Sequence, residues 1–204
     1  MKIYSEFINI SAPSKCEVLR YMRAGKDITG ELDKIIDTSI DKVYSSITPR
    51  VCYIYLPLEI VGENVILGDM LFKSSSLSKR LAGCHKACVF AATVGTDVDR
   101  AISASGAISS VFGLAADASG TAAVEELCDE FCRKLKEKSN EDGECTTSRF
   151  SAGYGDLSIE YQKDIINLLQ TKKHIGVSLS VGGMMTPTKT VTAIVGIKNK
   201  FLQS

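Results

Sequence analysis

Apolar residues recur at helical spacing in two stretches near the N-terminus. These are residues 15–24 (KCEVLRYMRA) and 29–46, the second carrying Ile35, Ile36, Ile40 and Val43 on one side. Pro49 closes that region, so an N-terminal helical part is expected over about 1–48. The pattern then changes period. VCYIYLPLEIV (51–61) is rich in β-branched and aromatic residues and reads as a strand interrupted by Pro57. NVILGDMLF (64–72) follows a Gly62-Glu63-Asn64 turn as a further strand or hairpin arm. SSSLSKRLAG (74–83) reads as a short helix with a serine cap and Gly83 as its stop.

The apolar run KACVFAATVG (86–95) is the most strand-like of the chain, and TDVDRAISA starts a helix with Thr96 or Asp97 as its cap. From Ile108 to Lys138 the helical period continues, giving one helix about 45 Å long at 1.5 Å per residue. Gly113 and Gly120 weaken it, which leaves a kink or two shorter helices open. A helix over 158–170 follows, with Ile165, Leu168 and Leu169 as its stripe. IGVSLSV (175–181) and TVTAIVGI (190–197) then read as two closing strands around GGMMTPTK. With no repeat, low-complexity tract or long linker, the chain is one α+β domain over residues 1–204.

Charge and composition narrow the function classes. Lys plus Arg equals Asp plus Glu at 24 each, which argues against the basic footprint of a nucleic-acid-binding protein. No run of 18 apolar residues is present, so no transmembrane helix and no membrane partner are expected. The N-terminal MKIYSEFINISAPSK lacks the apolar core of a signal peptide, making the cytoplasm the expected location. Seven cysteines, an odd number, suit reduced thiols there.

Cys84 and Cys88, with His85 beside them, and Cys128 and Cys132 repeat an i, i+4 spacing from which a four-thiolate zinc site can be imagined. Cys128 and Cys132 lie inside a helical run, beside Val124, Phe131 and Leu135, where small core residues are the favoured reading. No metal is therefore expected. The strand-glycine-helix order at VGTDVD lacks the further glycines of a dinucleotide loop, and its two aspartates would repel a phosphate.

Two features remain as candidate chemistry. On a wheel of 100° per residue, the long helix keeps Val124, Leu127, Phe131 and Leu135 on one face, and Asp117 falls inside that arc, within about 20° of Val124 and Leu135. Glu125 sits at its edge, with Thr121 one turn from each acid. Either the helix bends at Gly120 and Asp117 reaches water, or the acids face inward and need a cation, supplied by Arg149 or a ligand ammonium. Around them Ala115, Ala116, Ala118, Ser119, Gly120, Ala122 and Ala123 leave the helix nearly bare, open to a flat ligand or to a packed neighbour.

The second feature is the loop SRFSAGYGDLS (148–158). Gly153 and Gly155 let a ligand approach the backbone, Tyr154 offers a ring, and Arg149 offers a planar fork for a carboxylate. A tight connector with a surface arginine has the same composition.

RFSAGYGDLSIEYQKDIINLL followed by IGVSLSVGGMMTPTKTVTAIVGI resembles the activation domain of cobalamin-dependent methionine synthases, in its stand-alone form. That family carries an R-x-x-P-G-Y loop, a helix, a Thr-Glu-Ser…Met…Pro hairpin, and a helix with Asp and Glu eight apart, matched here by Asp117 and Glu125. CEVLRYMRAG is similar to the opening of the stand-alone members. The resemblance implies a twisted, mainly antiparallel sheet flanked by helices, one of them long and central. It implies binding of S-adenosylmethionine, and a partner that carries cobalamin, a methionine synthase or another corrinoid protein. An external electron donor, such as a flavodoxin-like protein, would reduce the inert cob(II)alamin, and bound S-adenosylmethionine would remethylate it.

On that resemblance Arg149 holds the methionine carboxylate, Ala152, Gly153 and Tyr154 shape the loop against the adenosyl group, and Glu125 and Asp117 line the cofactor or corrinoid side. Ala152 stands where the family has proline, and Ser180, Val181 and Gly182 replace its Thr-Glu-Ser. Two readings follow: a stand-alone reactivator that uses S-adenosylmethionine, or a docking or shielding module for a corrinoid protein that does not.

Overall fold

The computed structural model describes residues 2–25 and 30–200. Its sheet is antiparallel throughout. Strand β2 (Arg50–Val61) pairs with β5 (Lys86–Thr93) on one edge, and on the other with β1 (Tyr4–Phe7) and then β3 (Asn64–Leu67). The order continues outward as β4 (Met70–Lys73) beyond β3, and as β9 (Thr190–Asn199) and β6 (Glu144–Thr146) beyond β5. Pro57 does not break β2, because it sits opposite Lys86 where β2 parts from β5 and no further ladder donor is needed from it.

β5 is buried along almost its whole length because both of its faces are covered. Cys88, Phe90 and Ala92 face helix α5 (Ser110–Glu141), meeting Leu127 and Phe131, while Ala87, Val89 and Ala91 face the opposite layer with Leu77, Ile165 and Leu169. That second layer holds α3 (Ser75–Arg80), α6 (Tyr161–Leu168) and α7 (Thr171–Ile175). Each fully buried Phe, Leu, Ile or Val contributes about 1.5–3 kcal/mol of transfer free energy.

The bare stretch of α5 is explained by a third layer. Ala115, Ala118 and Ala122 pack against Val18 and Leu19 of α1 (Lys15–Met22) and Ile36 and Ile40 of α2 (Glu31–Tyr44). Small side chains there admit two helices, while the Leu127–Phe131 side of the same helix meets the sheet.

Several boundaries differ from the sequence reading. Helix α4 (Thr96–Ile108) starts from Gly95, with no side-chain cap, because Asp97 pairs with Arg100 and Asp99 accepts from Thr188. Ser109 is extended and caps α5 through its hydroxyl, so the long helix begins at Ser110 and runs unbroken through Gly113 and Gly120. Only Ser178–Leu179 of 175–181 are strand (β7), paired with β8 (Met185–Thr186) in a hairpin off the main sheet. Ile175 instead ends α7, with Gly176 closing it in the left-handed conformation. Of the N-terminal region, 26–29 lie outside the described residues, and 4–7 form a strand that the helical reading missed. Among the described residues no helix is long and apolar enough to cross a membrane.

Cys88 and Cys128 are core residues, and burial pushes both thiols well above their ordinary range. Cys84 lies elsewhere, in the turn before β5 against Gly196. Among the described residues no three His, Cys, Asp or Glu side chains gather closely enough to hold a metal.

Candidate functional site

Asp117, Thr121, Glu125 and Asp129 follow one another at four-residue steps and form a polar stripe along α5. Two cations approach this stripe, both placed by β9. Lys189 immediately precedes β9, and its Nζ donates to Asp117 Oδ1 at 2.8 Å and to Thr121 Oγ1 at 2.9 Å. Its stem crosses α5 at Gly120, where an added Cβ would lie 3.2 Å from both Cγ and Cε of Lys189. Arg149 comes from the loop, held where Phe150 exchanges backbone hydrogen bonds of 2.9 and 2.8 Å with Ile194.

The Arg149 fork is divided between two acids. Nη2 donates to Glu125 Oε2 at 2.5 Å, and Nη1 donates to Asp129. Burial opposes the charge on Arg149, but Asp129 and Glu125 outweigh it and raise its pKa above the ordinary arginine value. Tyr21 of α1 neighbours the same cluster: burial, then the charge of Glu125, push its phenol up.

Asp117 therefore reaches water without any break in the helix. Its carboxylate is 55% exposed, and its partner is Lys189, itself only 12% exposed, rather than Arg149. With its carboxylate open to solvent, such a pair contributes about 0–1 kcal/mol. Asp117→Asn should accordingly shift stability by less than about 1 kcal/mol, read as a melting-temperature change of no more than about 4 °C. A larger drop would mean that the pair is anchored more deeply than its exposure indicates.

The loop is seated in the core as well as tied to α5. Phe150, Ala152 and Leu157 pack into the second core layer, and Gly153 N–H donates to Leu157 C=O at 2.8 Å. Gly155 has φ +55°, and a Cβ there would come within 2.8 Å of Ser76 Oγ, so glycine lets the loop lie on the start of α3. Asp156 then caps α3, accepting from the Ser74 hydroxyl at 2.5 Å and from Ser75 and Ser76 N–H at 2.8 and 3.1 Å. Tyr154 projects outward with its ring largely exposed.

The Ser74 hydroxyl, with the Ser75 and Ser76 donors, holds the Asp156 carboxyl far below the usual carboxylate range. A depressed folded pKa contributes stability above the unfolded value, about 3.9, and loses it as pH falls toward the folded one. The melting temperatures of parent and Asp156→Asn should differ most near neutral pH and converge as pH drops below about 4. A gap that is constant with pH would remove Asp156 as the titrating group.

The cluster thus brings Arg149 and Glu125 together and leaves Asp117 about 12 Å further along the helix, at 1.5 Å per residue. Ala152, Gly153 and Tyr154 follow Arg149 in one loop. Asp129, Lys189 and Tyr21 were not singled out by sequence. Asp129 alone had a usable signal, one turn beyond Glu125, but it lies among solvent-facing charges on the wheel.

No protein family matches this sequence, and no curated protein matches it. Among solved structures it is similar to a crystal structure described as the MetH reactivation domain bound to AdoHcy, with TM-score 0.63 and 16% identity over 96% of this chain and 78% of that one. It has the reactivation-domain fold. At that identity the likeness concerns the backbone fold alone.

Proposed function

We propose that this chain is a stand-alone reactivator of a cobalamin-dependent methionine synthase and that it binds S-adenosylmethionine between the 148–157 loop and α5. The observation that carries the reading is the Arg149–Glu125–Asp129 cluster, which lies on a fold whose solved neighbour is described as bound to AdoHcy. One arginine against two carboxylates leaves the cluster one negative charge in excess, and Lys189 already neutralises Asp117. S-adenosylmethionine, with ammonium and sulfonium against one carboxylate, carries one positive charge in excess. The charges match.

In this reading the ligand carboxylate takes the arm of Arg149 now given to Asp129, the more exposed of its two acids. Glu125 keeps the other arm, and the freed Asp129 meets the ligand ammonium. Tyr154 offers its exposed ring to the adenine, and the backbone at Ala152 and Gly153 borders the adenosyl group. Asp117, with Lys189, closes the far end of the stripe on the side facing the corrinoid. The bound ligand would supply the methyl group for a partner's cobalamin, leaving as S-adenosylhomocysteine, and an external flavodoxin-like donor would supply the electron. The protein's part is placement and a fixed electrostatic field.

A second reading has its own observation. The Arg149 fork is already filled by the chain's own acids, as expected of a module that docks on a corrinoid protein without using S-adenosylmethionine. Calorimetric titration of the folded chain with S-adenosylmethionine separates the two. Saturable micromolar binding supports the reactivator, and absence of heat with an intact melting transition supports the docking module.

A further inference from the structure

A different part of the surface points to a macromolecular partner. Between α6–α7 and the β7–β8 hairpin lies a solvent-open groove of about 1350 Å³. Its floor includes the buried Ile166 and Val177, and its walls include Ile159, Val181 and Met184, all three exposed large apolar residues. Monomeric surfaces seldom gather such residues along one cleft without a use for them.

The rim is basic. Lys163 of α6 and Lys172 and Lys173 of α7 line the groove against the single acid Glu160, and all three lysines are exposed. Among the described residues none of the three makes an ion pair, whereas Lys15, Lys86, Lys189, Arg133 and Arg149 all do. These cations stand unneutralised beside apolar surface.

We propose that this groove docks an acidic amphipathic helix of a partner protein, apolar anchors in the cleft and carboxylates on the lysine rim. Its size favours a polypeptide, because pockets for small molecules hold about 300–1,000 Å³. A helix is favoured over an added strand because β7 and β8 are two residues each and present almost no edge for backbone pairing. The inference goes beyond the S-adenosylmethionine reading and does not depend on it. The groove touches the loop's surroundings at Ile159, which packs against Gly153, while Arg149 points to α5.

The test uses a fluorescein-labelled synthetic peptide about five turns long, with leucine at helical spacing and glutamate elsewhere, and its lysine counterpart. Fluorescence anisotropy with the full chain should show saturable binding of the acidic peptide. Binding should weaken roughly tenfold in about 1 M salt, where the Debye length falls to about 3 Å. The triple variant Lys163→Glu, Lys172→Glu, Lys173→Glu should lose tenfold or more, as should Val181→Ser with Met184→Ser. Arg149→Ala should bind the peptide like the parent. These exposed positions leave the core intact, and circular dichroism melting verifies it; the single variant Lys163→Glu serves if the triple one does not fold. Failure to saturate, equal binding of the lysine peptide, or unchanged binding by the charge-reversed variant overturns the proposal. Saturation by laurate alone, with neither peptide bound, overturns it in favour of a small-molecule site.

Discussion

Arg149→Ala is expected to bind S-adenosylmethionine roughly 100-fold more weakly than the parent. A charge-assisted hydrogen bond contributes about 1.5–3 kcal/mol, and loss of about 2.7 kcal/mol corresponds to a factor of 100. The fold should survive, because Phe150, Ala152 and Leu157 anchor the loop in the second core layer and Asp156 caps α3 independently of Arg149. Removing the cation leaves Glu125 and Asp129 as like charges one helical turn apart, a cost of about 0.2–0.5 kcal/mol. Titration calorimetry beside thermal melting separates the two effects. Arg149→Lys supplies the geometric control: it keeps the charge without the planar fork, so its affinity should fall between those of parent and alanine variant. Equal affinity of parent and alanine variant would remove Arg149 from the ligand contact.

The second large effect concerns stability. Gly113→Leu is expected to destabilise the protein by about 3 kcal/mol, the upper part of the range for overpacking. An added Cβ at Gly113 would lie 2.8 Å from Gly106 Cα and 3.3 Å from Gly106 N, so backbone meets backbone where α4 turns into α5. No rotamer relieves a clash at Cβ, and separating the helices disturbs Ser109, whose hydroxyl caps α5 through Phe112 N–H at 3.1 Å. With about 2–4 °C per kcal/mol for a domain of this size, the melting temperature should fall by about 6–12 °C. Gly113→Ala is the sharper test of sign. In an open helix it would stabilise by about 1 kcal/mol, whereas at this crossing it should still lower the melting temperature. A rise would show that the crossing relaxes freely.

Gly113 also illustrates what sequence reading can and cannot reach. As a helix-weakening residue it suggested a kink in the long helix, yet the helix runs through it, and its bareness serves the approach of α4. Gly120 behaves alike: Val98 and the Lys189 stem lie over it. Likewise the run of small residues on α5 was open to a ligand or a neighbour, and α1 and α2 fill it. One-dimensional patterns report how much space a position leaves, without naming the occupant.

What the chain determined by itself is what rests on local periodicity and on composition. The continuous apolar run of β5, the β-branched character of β2 and β9 and the 3.6-residue repeat of α2 and α5 are physical consequences of which faces must be buried, and all five elements formed near their expected places. The α+β class followed from their order, and the antiparallel sheet with its long helix agrees with the fold that the loop and hairpin motifs resembled. Short strands were illegible: β1, β6 and β8 span two to four residues, and their pairing energy comes from β2, β9 and β7 rather than from their own sequence.

The site was legible as a set of residue types and illegible as a set of pairs. Arg149 meets Glu125 across 24 positions, and Lys189 meets Asp117 across 72. Those partnerships depend on where β9 enters the sheet, on Phe150 pairing with Ile194, and on Asp99 holding Thr188 beside Lys189. A charge finds its partner through the register of strands far away in the chain. Tertiary structure alone decides which carboxylate each cation reaches.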